Sequence, residues 1–131
     1  MTTLIDPFPD IELALITGFK AKLVSTAGQV TVKNETPSNL EDALPFVAVS
    51  VLDDSDDDFT RRAQVDVDVY AATRADGYAL SEQVRGLLKA SDRLGGVTID
   101  RVLTTSGPKR VPWDNPGVRR FFATYRISTR R

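Results

Sequence analysis

The aspartates are where this sequence could do chemistry. Asp66 and Asp68 alternate with valines in RRAQVDVDVYA, and Asp53, Asp54, Asp56, Asp57 and Asp58 crowd into DDSDDD just upstream. A carboxylate pair supports acid–base catalysis when burial or a shared proton pushes its two pKa values apart. An oxygen-only cluster holds magnesium or calcium. Other chemistry is scarce, because the chain has no cysteine and no histidine. That removes disulfides, thiol nucleophiles, imidazole bases and every zinc site built on thiolate or imidazole ligands. Serines without a histidine or a Gly-x-Ser-x-Gly elbow offer no activated nucleophile.

Each acidic group has a plainer reading beside the chemical one. Asp54, Asp56 and Asp58 match the first three ligands of a calcium loop, but Phe59 stands where glycine is needed and Val65 where glutamate is needed. The run is therefore not an EF-hand. Carboxylates about 4 Å apart repel by roughly 1 kcal/mol even in water, so the run needs a neutraliser or stays a solvated hairpin tip. Arg61 and Arg62 alongside, a cation or a neighbouring subunit would serve. In the strand that follows, Val65, Val67 and Val69 point to one face and Gln64, Asp66, Asp68 and Tyr70 to the other. A face so uniformly polar leaves neither acid desolvated, and the expectation is a solvated or interface-facing row.

The basic residues gather late. Arg119, Arg120, Arg126, Arg130 and Arg131 mark the last strand, with Lys109 and Arg110 in the loop before it. Phe121, Ala123, Tyr125 and Ile127 alternate onto a core face, leaving Arg120, Phe122, Thr124 and Arg126 on the other. An aromatic among arginines is interface composition, and an amphipathic strand with arginines in solvent is the alternative. Trp113, in a loop of prolines and glycines, either folds back to cap the core or anchors a partner.

Positioning these groups falls to a simple succession of elements. DPFPDIELALITGFKAKL reads as a first helix, with Asp6 or Asp10 as its cap and Pro7 or Pro9 in its first turn. Ile11, Leu15, Phe19 and Leu23 form its apolar stripe. QVTVKN, FVAVSVL (46–52) and RRAQVDVDVYA (61–71) are strands, and DDSDDDFT is a connection too long for a tight turn. Thr73 and Asp76 open a second helix as a capping box, with Leu80, Val84, Leu87 and Leu88 inward and Gly95–Gly96 ending the region. VTIDRVLTTS (97–106) and RRFFATYRISTRR (119–131) are the last strands. The order α-β-β-β-α-β-β fits an α+β fold, a mostly antiparallel sheet with two helices on one face and the other face left available.

With 131 residues and 41% hydrophobic content, one soluble domain over 1–131 is expected. No secretory leader or membrane span is expected from the sequence. The net charge of −1 divides into −8 over residues 1–60 and +7 over 61–131, an asymmetry suited to self-association or merely to neutralisation within one domain.

AQVDVDVYAATRADGYALSEQVRGLL, followed by GGVTIDRVLTTSGPKRVPWDNPGVRRFFATYRISTRR, resembles the tail terminator (tail-completion) proteins of siphophages, phages with long non-contractile tails. The resemblance lies in the valine strand running into a Thr-Arg helix and in VPWDNPGVRRFFATYRIS. It implies a small α+β subunit that assembles as a ring, commonly a hexamer. The ring would sit on the last ring of tail tube protein, stop tail polymerisation and present a surface to the head connector, with DNA passing through the lumen unread. The location implied is the virion neck, reached from the host cytoplasm during assembly, with no cofactor and no enzymatic activity. On this reading the acidic run, Asp66, Asp68, Arg61, Arg62, Trp113, Arg119, Arg120, Phe122 and Arg126 are subunit or lumen contacts. A head-closure, connector or minor tail protein is the alternative within the same class. A metal-dependent hydrolase using Asp53 to Asp58 is the alternative outside it.

Overall fold

A computed structural model describes residues 10–26, 28–56, 60–112 and 117–130, with backbone alone at 53–56 and 130. Asp6, Pro7 and Pro9, invoked above for the first helix, lie outside the described residues. Helix α1 spans Ile11–Lys22, and Asp10 is its cap, the carboxylate accepting from the Leu13 amide at 3.0 Å. The expected stripe holds: Ile11, Leu15, Phe19 and Leu23 are all buried. Each such side chain contributes roughly 1.5–3 kcal/mol by leaving water. Helix α2 spans Arg74–Ala90, and the Thr73 hydroxyl accepts from the Asp76 amide at 3.2 Å. Leu80, Val84 and Leu88 are buried as expected, together with Gly77 and Ser81, and Leu87 packs partly against the core.

The strands are β1 (Thr31–Lys33), β2 (Phe46–Asp56), β3 (Thr60–Ala71), β4 (Arg93–Leu94), β5 (Val97–Val111) and β6 (Arg119–Arg130). They form one six-stranded sheet in the order β1-β2-β3-β6-β5-β4, antiparallel except for the β1–β2 pair. This is the expected α+β architecture with one small strand added. A single 3₁₀ turn, Leu40–Asp42, sits in the polar connection to β2. Helix α2 packs on β3, β5 and β6, and α1 packs on β1, β2 and β4. Because β1 and β4 are opposite edges of the sheet, contact with both means that the sheet curls around α1.

Three features depart from the sequence reading. Strand β2 does not stop at Leu52 but continues to Asp56, after a register shift between Val51 and Asp53. Strand β5 runs to Val111, so Lys109 and Arg110 belong to a ladder rather than to a loop. Gly95 and Gly96 do not follow a helix end. They form the two-residue turn of the β4–β5 hairpin, with Leu94 opposite Val97 and φ of +57° and +81°. Positive φ at both central residues is what a type I′ hairpin turn requires, and glycine supplies it without a Cβ clash.

Within the core, four buried hydroxyls lack a hydrogen-bond partner among the described residues: Ser81 Oγ, Thr104 Oγ1, Tyr125 Oη and Thr129 Oγ1. Burial pushes the Tyr125 phenol up to about 12. An unpaired buried hydroxyl costs about 1–3 kcal/mol. Tyr125→Phe is therefore expected to raise the urea midpoint, a gain of about 1 kcal/mol with an unchanged slope. A fall in the midpoint would mean that Oη is paired in solution.

Candidate functional site

The surface that the helices leave uncovered is the outer face of the sheet, and ladder register fixes its layout. One row reads Phe46, Tyr70, Arg120, Val111, and the next Ala48, Asp68, Phe122, Lys109. Then come Ser50, Asp66, Thr124, Ser106, followed by Asp53, Gln64, Arg126, Leu103, and last Ser55, Arg62, Ser128, Arg101. The expected alternation of Arg120, Phe122, Thr124 and Arg126 opposite a buried Phe121, Ala123, Tyr125 and Ile127 is present.

One end of this face is not available. Tyr70, grouped above with the polar row, is buried beside Leu40, Phe46, Ala48 and Val118 in a second apolar cluster. Its ring meets Phe46 edge-on, with centroids 6.3 Å apart at 62°. Tyr70 does alternate with the core valines, but alternation does not show that the segment around Leu40 folds over this end of the sheet.

The expectation of a solvated row needs correcting at Asp68. Asp68 is not a solvated carboxylate: its side chain is 18% exposed and accepts from Arg120 Nε at 2.7 Å. Burial raises its pKa, opposed by the Arg120 hydrogen bond and charge and reinforced by Asp66. Arg120 lies within 5.8 Å of the Phe122 ring centre as well, so one guanidinium serves a carboxylate and an aromatic face. Asp66 accepts from the Thr124 hydroxyl at 3.0 Å. The pair is thus tied into the sheet by cross-strand partners on β6, an arrangement that holds side chains still rather than one that shuttles a proton.

The acidic run lies mostly in the ladder. Asp53 pairs with Gln64, Asp54 with Ala63, Ser55 with Arg62 and Asp56 with Arg61, so the two arginines are cross-strand neighbours of the run as well as sequence neighbours. Asp57, Asp58 and Trp113 lie outside the described residues. Arg61 and Arg119 each take part in contacts within the fold. Among the described residues no three acidic side chains come together in a way that could hold a metal ion. A depression of about 470 Å³ between the end of α1 and β1 is lined by Lys20, Leu23, Val30 and Lys33 among others, with no carboxylate in its wall.

Sequence reasoning overlooked part of the face. Arg101 and Leu103 lie on β5 beside Ser128 and Arg126, both are exposed, and Leu103 is 45% exposed although apolar. Leu52, 58% exposed, stands at the irregularity in β2. The period-two pattern of RVLTTS already contained the β5 pair. What it lacked was the neighbour relation between β5 and β6.

No protein-family model matches the chain, and no curated protein sequence matches it. Among solved structures, a chain described as "Virion of native gene transfer agent (GTA) particle" shares the fold. The TM-score is 0.65 at 17% identity, covering 92% of this chain and 95% of that one. The α+β architecture is therefore one that a virion particle uses nearly end to end.

Proposed function

We infer that this chain is a structural subunit of a phage-like virion, and that within it the chain acts as a tail terminator. Copies close into a ring, commonly six, that sits on the last ring of tail tube protein, halts polymerisation and offers its other side to the head connector. DNA passes through the lumen without being read. The observation that carries this reading is the end-to-end fold likeness to a chain of a gene transfer agent virion. The tail-terminator pattern of the second half of the sequence directs it to the neck.

The outer sheet face supports the reading. A ring is built from heterologous contacts, in which two different patches meet. This chain carries an acidic strand end and an arginine-bearing one, together with Phe122 half-exposed among charges. Exposed ion pairs contribute only about 0.2–1 kcal/mol each and would set register. Aromatic anchors such as Phe122 and Trp113 would supply most of the affinity, at about 2 kcal/mol or more each.

Purified protein added to growing tail tubes is expected to leave capped tubes of fixed length in negative-stain images. Tubes that stay uncapped and keep extending would overturn the terminator role. Retention of the protein by a portal or connector complex, with no binding to tubes, would move it to head closure instead.

A further inference from the structure

The sheet ends on two strands too short to cover their neighbours. Strand β1 pairs with β2 only from Phe46 to Ala48, and β4 pairs with β5 only at Val97 and Thr98. No described strand lies beside residues 49–52 on one side of the sheet, or beside 101–106 on the other. Open edges of this kind are templates for a further strand.

Backbone alternation shows which groups stand at each edge. The Pro45 carbonyl accepts from the Thr31 amide of β1 at 3.0 Å. Val49 and Val51, an even number of residues further on, therefore turn their amides and carbonyls to that same side. On β5 the Ile99 amide donates to the Asp92 carbonyl at 2.8 Å, so Ile99 faces away from β6. The irregularity between Ile99 and Arg101 shifts the alternation by one residue and brings Val102 and Thr104 to the open side. Lys89 Nζ, which reaches the Val102 carbonyl at 3.4 Å from α2, agrees with this direction.

The two edges also match in direction, level and side chain. Three antiparallel steps separate β2 from β5, so these strands run in opposite directions. Rotation about an axis along the strands would lay β2 of one copy antiparallel to β5 of the next, with the helices of both on one side. Of the five large apolar side chains left exposed among the described residues, one stands on each open stretch, Leu52 and Leu103. They mark the two ends of one cross-sheet row. Leu103 lies beside Arg126 and then Gln64, and Leu52 is the extra β2 residue next to Asp53, which stands opposite Gln64.

We propose that the edge of β2 at Val51 and Leu52 pairs antiparallel with the edge of β5 at Leu103 and Thr104 in a neighbouring copy of this chain, Leu52 against Leu103. In that register Val51 and Thr104 exchange backbone hydrogen bonds. The leucines form the adjacent non-hydrogen-bonded pair, with Cα atoms about 4.5 Å apart and side chains close. The inference rests on the ring reading and assigns its subunit joint. Two different edges meet, so the contact is heterologous and repeats from copy to copy until the ring closes.

The chain has no cysteine, so introduced thiols report this pairing alone. Full-length Leu52→Cys and Leu103→Cys proteins are mixed, with and without tail tubes, and oxidised; a Cα separation of about 4.5 Å is within disulfide reach. The mixture is expected to give covalent dimers, and a chain carrying both changes a ladder of multimers that stops at the ring size. Leu13→Cys, exposed on α1, should give none with Leu103→Cys. Leu52→Lys with Leu103→Lys is expected to weaken association in sedimentation roughly tenfold or more, with circular dichroism confirming the fold. Dimers formed by one single-cysteine variant alone, in the yield of the mixture, would mean two-fold pairing and overturn the proposal. A wild type that associates and caps tails while the leucine positions do not cross-link overturns this joint and leaves the ring reading intact. So does a lysine variant that associates normally but no longer binds tubes, because the edge would then receive a strand of the tube. A wild type that neither associates nor caps removes both readings.

Discussion

Gly95→Ala is expected to destabilise the protein by about 2–5 kcal/mol, the sum of a left-handed backbone penalty and an overpacking penalty. The φ of +57° at Gly95 is one that an L side chain rarely adopts, and an added Cβ would land on the Ala14 carbonyl of α1. The obstacle is backbone, so no rotamer change relieves it. Gly96 supplies the control. Its φ is +81°, but a Cβ there meets nothing within 4 Å. Gly96→Ala should cost only the backbone penalty of about 1–2 kcal/mol. Urea unfolding of both variants decides the matter: equal losses would show that the approach of the β4–β5 turn to α1 adds nothing to stability.

The second large effect lies in the Asp68–Arg120 pair. Arg120→Met keeps the packing over Phe122 but leaves Asp68 charged, mostly buried and without its cation. The expected cost at neutral pH is about 2–3 kcal/mol. Asp68→Asn combined with Arg120→Met should recover much of it, since no buried charge is left unpaired. The pH dependence follows from the direction of the shift. Asp68 has its pKa raised from 3.8 by burial, so the folded protein binds its proton more tightly than the unfolded chain does. Its contribution is fully present below the unfolded value and is lost as pH rises through the folded one. Without Arg120 the two causes that lower the pKa disappear, and this loss extends to higher pH. The difference between wild type and Arg120→Met should therefore be large near pH 7 and shrink as Asp68 takes up its proton in mild acid. A difference that is flat across that range would mean that the carboxylate is not the origin of the cost.

Much of the architecture was legible because it follows from local rules. Period-four leucines and phenylalanine located α1, a Thr-x-x-Asp cap located α2, and alternating valines oriented β3. Less legible was whatever depends on a partner distant in sequence. Asp68 looked solvated because its strand is polar on that side, and Arg120 is 52 residues away. Tyr70 looked exposed because the cover around Leu40 and Val118 comes from two connections with no periodic signal. The acidic run looked like a loop because strands rarely tolerate so many aspartates, yet Asp53, Asp54 and Asp56 stand in register with Gln64, Ala63 and Arg61 on β3. Gly95–Gly96 carried a hairpin signature as strong as its helix-stop signature, and only the closeness of Leu94 to Val97 chooses between them.

The curl of the sheet around α1 has a consequence for how the chain reaches this state. Residues 11–22 leave the ribosome before the strands that seat them, β1, β2 and β4 at 93–94. Closing that circuit joins segments more than seventy residues apart, and contacts so distant in sequence slow folding. A twelve-residue helix is marginal in water on its own. Leu15 and Phe19 are therefore expected to stay partly in contact with solvent until β4 has been synthesised. Truncations made after β3 should accumulate as sticky, protease-sensitive intermediates, whereas chains extended past Leu94 can bury that stripe.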